Sequence, residues 1–201
     1  MPGLALSLGA GESHPRLPAT LAQRVEGKGW RMVPGAPSPS GMIRLYAGDA
    51  PDGIRFLELG KLPGQVEPEV TTAFRYLMER LRAHEWAVVA DLAAGTRQPM
   101  FRWTRFADVV VIVVEPSVKS TMTARRLLPV ATHVVANKVR SSADVELIRS
   151  RIPLPLLAAV PYDEAVLEGE RNGYAPIEFS AGSPAVIAAG EIADRLLEMR
   201  G

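Results

Sequence analysis

Cysteine is absent from all 201 residues. That excludes disulfides, thiolate metal sites and cysteine nucleophiles, and it accords with a reducing cytosol. Histidine is scarce. His14, His84 and His133 stand far apart and show no ligand spacing, so each reads as a surface or strand-edge residue and no tight metal site is expected. An excess of charge is missing too: 23 Lys and Arg against 22 Asp and Glu leave a net +1. This removes the electrostatic case for nucleic acid or acidic lipid as a partner. No run approaches the roughly 18 to 20 apolar residues that span a bilayer. The N-terminal residues show no basic region followed by an apolar core, so a cytoplasmic chain without a membrane span is expected.

What is present is an ordinary core-forming composition, 47% hydrophobic and 22% charged, sized for a single domain over residues 1–201. The organising stretch runs from Trp86 to Ser120. It holds two valine-rich runs, Ala87–Ala90 and Val109–Val114, whose length and β-branched content predict strands buried on both faces of a parallel sheet. Both break into polar residues at their C-terminal ends: Asp91 with Ala93-Ala94-Gly95, and Glu115-Pro116-Ser117. Ligands of open α/β sheets sit outside the carboxyl ends of the strands, which makes Asp91 and Gly95 candidate site residues.

Upstream, Leu4–Leu8 reads as a first strand, Gly9–Pro15 as a glycine-bearing turn, and Leu17, Leu21 and Val25 as one face of a helix. Strand, glycine loop, helix is the order in which phosphate cradles are built. Trp30–Val33 reads as a second strand, Pro34–Gly41 as a loop, and Met42–Ala47 with Ile54–Leu59 as a hairpin. Val70, Phe74, Leu77 and Leu81 predict an amphipathic helix ending near His84. Ser117 is placed to cap a helix, Thr132–Ala136 to form a strand ending in Asn137-Lys138, and Ser142 to cap the next helix. Leu156–Val160 predicts a further strand closed by Pro161-Tyr162-Asp163, and Ser183-Pro184 a final helix start. Alternating strands and helices predict an α/β fold: one mostly parallel sheet flanked by helices on both faces.

Six short motifs, in order, carry a family resemblance. They are Leu57-Glu58-Leu59-Gly60-Lys61, Asp91-Leu92-Ala93-Ala94-Gly95, Val114-Glu115-Pro116-Ser117 with Thr123–Arg126, Ala136-Asn137-Lys138-Val139, Val160–Glu164 and Ser183–Val186. As a set they resemble the deviant P-loop ATPases of the MinD/ParA class. Within it they are most similar to the maturation ATPases that insert nickel into carbon monoxide dehydrogenase. The resemblance implies a P-loop NTPase-like fold. It also implies a nucleotide pocket in which Asp91 acts near the magnesium, with Asn137, Lys138, Pro161 and Tyr162 beside the adenine.

The departures from that family are as informative. Its phosphate loop carries a lysine and a magnesium-binding hydroxyl; here His14 and Pro15 stand in their places, or Ser13 and His14 in a register shifted by one. The glycines Gly9 and Gly11 remain. Its deviant lysine is replaced by Leu8 or Gly9, and its Asp-x-Asp-Pro by Pro34-Gly35-Ala36-Pro37. Its metal-binding Cys-x-Cys has no counterpart in Pro63–Pro68. Phosphoryl transfer works by charge stabilisation and positioning, so these losses imply a pseudo-ATPase: no catalytic residue, no metal site, and ATP or ADP bound weakly or not at all. Gly9, Gly11, His14, Asp91, Gly95, Asn137, Lys138, Pro161 and Tyr162 are then the remnant of a cofactor site. The expected role is a non-hydrolysing accessory or assembly protein of metalloenzyme maturation. It would bind a protein partner, as a homodimer or a heterodimer with an active paralogue. Arg97, Arg102 and Arg105 interleave with Phe101, Trp103 and Phe106, and the face around Met100–Phe106 is the expected interaction surface. Two rival readings are a weak ATP-dependent metallochaperone and, with the charge balance against it, a ParA-like DNA partner.

Overall fold

Two separate hydrophobic cores organise the chain, seen in a computed structural model that describes residue 8 and residues 16–58, 67–81, 86–92 and 103–199. They fall in two units, Met1–Val89 and Ala90–Gly201. The expected strand at residues 4–8 (apart from residue 8) and the site residues Gly9, Gly11, His14 and Gly95 lie outside the described residues.

In the first unit the core is built from Leu17, Leu21, Met42, Ile43, Ala47, Val70, Ala73 and Leu77. The helix expected from Leu17 to Val25 does not form. Pro18 precedes a 3-10 turn at Ala19–Leu21, and the chain then extends as strand β1 (Ala22–Val25). It turns back as β2 (Gly29–Met32), with Arg24 opposite Trp30. Leu17 and Leu21 are buried, as a helix face would require, but a single tight turn suffices to bury both. The two glycines Gly27 and Gly29 then supply a hairpin that outweighs the helical spacing.

Of the expected strand Met42–Ala47, Met42–Tyr46 belongs to helix α1 (Pro39–Tyr46) and Ala47 is its C-cap. Ser38 caps it, its Oγ accepting from the Gly41 N–H at 3.2 Å, with proline at the first helical position. Met42 and Ile43 face the core together with Ala47, the spacing of a helix rather than a strand. The C-terminal carbonyls are met by Arg55, whose guanidinium donates to Ala47 O at 3.1 Å and Ile43 O at 3.4 Å and also pairs with Asp49. The expected hairpin survives only as β3 (Gly48–Asp49) against β4 (Arg55–Phe56). Helix α2 (Pro68–Arg80) buries Val70, Ala73 and Leu77, as its periodicity predicts.

The second unit holds a three-stranded parallel sheet in the order β5 (Val111–Val114), β6 (His133–Val139), β7 (Leu156–Pro161). The register sets Ile112 beside Val134 and Val114 beside Ala136. Those four pack with Ala124 of α3 (Val118–Arg125) and Ile148 of α4 (Ser142–Arg151). Burying an aliphatic side chain of this size stabilises by about 1.5–3 kcal/mol. Thr121, 1% exposed, is satisfied by the Ser117 and Val118 carbonyls and by Arg151. Three further helices follow β7: α5 (Glu164–Arg171), α6 (Pro176–Ser180) and α7 (Pro184–Glu198). Arg195 of α7 reaches the Leu157 carbonyl on β7.

Two expectations fail in this region. The run 87–90 makes no strand among the described residues; Val88 and Val89 are exposed. In β5 the alternation of the strand leaves Val113 63% exposed, so it is not buried on both faces.

Candidate functional site

The carboxyl ends of β5, β6 and β7 bring their exit residues to one edge, and contacts between them tie that edge together. Glu115, directly after β5, has its N–H bonded to Ser120 Oγ at 3.0 Å, while Ser117 Oγ accepts from the Ser120 N–H at 3.1 Å. This knot ends the strand and caps α3 in six residues. The Glu115 carboxylate then reaches across to β6, where Lys138 Nζ lies 2.8 Å from its Oε1. The hydrogen bond and charge of Glu115 hold the Lys138 ammonium above its usual range.

Lys138 has a positive φ of 55° and sits where the β6–β7 register slips, between Asn137 and Val139. A lysine in the left-handed region is uncommon, and such backbone is tolerated where surrounding contacts impose it. Here the Glu115 pair and the Tyr162 N–H to Val139 O bond of 2.9 Å bracket it on both sides. Asn137 is half-buried, and its side-chain amide makes no hydrogen bond among the described residues.

Two residues beyond the slip, Arg140 lays its guanidinium over the Tyr162 ring at 3.6 Å from the centroid. Its backbone N–H donates to Asp144 Oδ2 at 2.7 Å, which anchors the start of α4. Asp163 follows. One carboxylate oxygen accepts from the Ala165 N–H at 3.0 Å and the other from the Ala185 N–H at 3.1 Å, so a single side chain caps both α5 and α7. The Ala185 N–H above all, with Ser183 and the first N–H groups of α5, holds its carboxyl below the usual range despite some burial.

The structure thus brings together four of the expected site residues, Asn137, Lys138, Pro161 and Tyr162, with Pro161 paired to Val139 at the end of β7. Asp91 is exposed, outside any helix or strand, and makes no hydrogen bond or ion pair among the described residues. Sequence reasoning missed Glu115 as the partner of Lys138 and missed Arg140. Its only signal for Arg140 was an arginine two residues past the Asn-Lys pair. Of the expected interaction face, Met100, Phe101 and Arg102 lie outside the described residues, while Trp103–Phe106 form a 3-10 turn with Arg105 stacked on the Phe106 ring at 4.7 Å.

Chemically, this edge offers a stacked aromatic–guanidinium face, an open amide and a neutralised ammonium. Among the described residues no group of three or more His, Asp or Glu is placed to hold a metal ion. Nor is any helix long and apolar enough to cross a membrane.

No family model matches the chain. An uncharacterized ATP-binding protein of Methanocaldococcus jannaschii is 32% identical over 121 residues, 55% of this chain and 47% of that protein. The carbon monoxide dehydrogenase accessory protein CooC of Rhodospirillum rubrum is 28% identical over 140 residues, 64% of this chain and 53% of its own. The chain therefore spans about half the length of the curated relatives it matches. Among solved structures, a chain of the MinC:MinD cell division protein complex of Aquifex aeolicus superposes with a TM-score of 0.67 at 18% identity, covering 98% of this chain and 78% of that one. The septum site-determining protein MinD of Pyrococcus horikoshii, complexed with Mg-ADP, gives 0.65 at 19%, covering 98% and 79%. The chain has the MinD-type P-loop fold and is related in sequence to CooC and to an ATP-binding archaeal protein.

Proposed function

We propose that this protein is a single-domain, MinD-like accessory protein of metalloenzyme maturation that does not hydrolyse ATP. In this reading it acts in the cytoplasm through a protein partner, as a homodimer or beside an active paralogue, and retains at most weak affinity for ATP or ADP.

One observation carries the non-hydrolysing part: the path of the chain after the glycine segment. A phosphate cradle depends on a helix N-terminus whose free N–H groups and dipole point at the anion. Here residues 19–21 make a 3-10 turn and the chain continues into an antiparallel hairpin. The substitutions point the same way. Pro34-Gly35 forms the corner of a tight turn, Gly35 at φ 78° and the Ala36 N–H bonded to Val33 O at 3.2 Å. That is the arrangement of a type II turn, with no carboxylate to offer a metal. The accessory role is supported by the sequence relationship to CooC.

Calorimetric titration with ATP and magnesium, alongside phosphate release at high protein concentration, tests the proposal. Expected are a dissociation constant in the millimolar range or no binding, and no turnover above background. Micromolar binding, or turnover abolished by Asp91→Ala, overturns it in favour of a nucleotide-dependent metallochaperone.

A further inference from the structure

Two helices of the second unit carry opposite charge on exposed faces. Helix α3 buries Thr121 and Ala124. On its outer side Val118, Met122 and Arg125 recur at four and three residues, with Lys119 and the C-cap Arg126 beside them. Val118 and Met122 are more than half exposed. The three cations make no ion pair among the described residues, and no Asp or Glu stands between Glu115 and Asp144 to neutralise them. Helix α7 is the counterpart. It buries Ala188, and on its outer side Ile187, Glu191, Asp194 and Glu198 recur at four, three and four residues, with exposed Leu197 alongside. These three carboxylates make no hydrogen bond or ion pair among the described residues. Glu198 moreover closes the helix at the end where the dipole disfavours an anion, while Arg195, the cation of that last turn, reaches inward to the Leu157 carbonyl.

We infer that α7 of one copy of this chain docks on α3 of the next, head to tail. Charge complementarity selects the occupant: three unpaired cations face three unpaired carboxylates, each set beside exposed apolar side chains. The order along the two helices matches as well. In both, the apolar residues of the stripe lead and the charges follow toward the C-terminus. Laid side by side in the same direction, the helices set Val118 and Met122 against Ile187, and Arg125 and Arg126 against Glu191 and Asp194. Within one copy they are held apart, α3 on β5 and α7 on β7, the two outer strands of the sheet. A pairing of unlike faces is heterologous; it leaves an open α3 at one end and an open α7 at the other, and so adds further copies. Helix α3 has only eight residues, so the contact buries less than the roughly 1,200–2,000 Å² of a stable interface and is weak. It needs no nucleotide, and it goes beyond the partner proposed above by naming a second pair of surfaces, distinct from the face around Met100–Phe106.

Sedimentation equilibrium of the full chain without nucleotide, up to about 1 mM protein, tests this. The mean mass of wild type is expected to rise past the dimer with concentration and to fall in about 0.5 M sodium chloride. Two variants, each first checked by thermal melting, locate the contact: Arg125→Glu/Arg126→Glu on α3 and Glu191→Arg/Asp194→Arg on α7. Each alone is expected to weaken association at least about tenfold, because exposed pairs are lost and repulsion replaces them. Mixed in equal parts they are expected to recover to within about threefold. The reversed α3 then meets the reversed α7, and the two unaltered faces still meet each other. Glu168→Arg/Glu170→Arg, the same charge change on α5, should associate like wild type and should not rescue the α3 variant. Wild type that stays monomeric at about 1 mM assigns the two faces to other partners and overturns the inference. Mass that stops at the dimer, association indifferent to both reversals, a mixture that does not recover, or equal rescue by the α5 variant also overturns it. The nucleotide titration above is untouched by any of these results, so the two proposals fail separately.

Discussion

Strands β2 and β7 leave their sheets in opposite ways. After β2 the chain closes on itself: Pro34-Gly35 makes a turn held by one backbone hydrogen bond, and Ser38 opens helix α1 three residues later. The bonds that shape this corner are local, and Pro34–Gly41 contains no charged residue. After β7 the chain opens outward: Tyr162 supports Arg140 and Asp163 holds two helices, linking residues far apart in sequence. An edge built from distant side chains can bind a ligand and still hold its shape. A corner built from proline, glycine and backbone can only turn. The family resemblance survives where long-range contacts constrain the residues and lapses where a self-contained turn has replaced them.

The contrast can be broken or sharpened by substitution. The largest effect is expected in the core beneath the parallel sheet: Ile148→Ala, at a fully buried position, should cost about 2–5 kcal/mol in urea unfolding. A cost below 1 kcal/mol would mean that α4 does not pack as described.

Next comes Gly169 on α5, where an added Cβ would lie 3.1 Å from Phe179 Cβ and Cγ. Gly169→Ala should cost about 1–3 kcal/mol by overpacking. The cost should fall when Phe179→Ala is combined with it. Equal cost in both backgrounds would remove the close approach of α5 and α6 as the cause.

Asp163→Asn should lower the melting temperature near neutral pH, because two helix N-termini lose their charged cap. Since the folded carboxyl titrates below its usual range, its stabilisation is full above the unfolded value of 3.8 and is lost as pH falls through the folded one. The gap between variant and wild-type melting curves should therefore close in acid. A gap constant across pH would show that shape, not charge, is what Asp163 supplies.

The smallest effect is expected at Lys138. Glycine there relieves left-handed backbone worth about 1–2 kcal/mol and gives up an exposed ion pair worth about 0–1 kcal/mol. Lys138→Gly should be close to neutral in stability and Lys138→Ala less stable than it. Equal stability of the two variants would mean that the left-handed backbone carries no strain, and both falling well below wild type would mean that the ion pair governs this position.

What could be read from the amino acids divides along the same line. Strands β6 and β7 and their caps were legible because buried Val, Leu and Ala runs end in polar residues, and because Ser117 and Ser183-Pro184 are local helix-start signals. Lys138, expected after its strand, lies inside it; the bulge that carries it extends β6 to Val139. In the first unit helix and strand were exchanged twice. Leu17, Leu21 and Val25 show helical spacing, but Gly27 and Gly29 force a hairpin. Met42–Ala47 resembles a strand until Ser38-Pro39 is recognised as a cap. Helix α6 went unseen: its start is held by Glu178 bonding back to the Ala175 N–H at 3.3 Å, in too few residues to show a period. At the candidate site the residue types were legible, but the Glu115–Lys138 and Arg140–Tyr162 pairings were not. Which cation is engaged depends on the register slip in β6, and register is set by the assembled sheet.

Asp163 also imposes an order of events. Its bond to Ala165 spans two residues and can form as soon as the chain leaves β7, whereas its bond to Ala185 closes a loop of 22 residues that contains α5 and α6. Closing the longer loop carries the greater entropic cost, and elements distant in sequence pair more slowly. Helix α5 is thus positioned to form first, with one carboxylate oxygen still open; that oxygen then receives α7. By loop length alone, α5 is expected before α7, and the last helix then meets a carboxylate that its predecessor has already positioned.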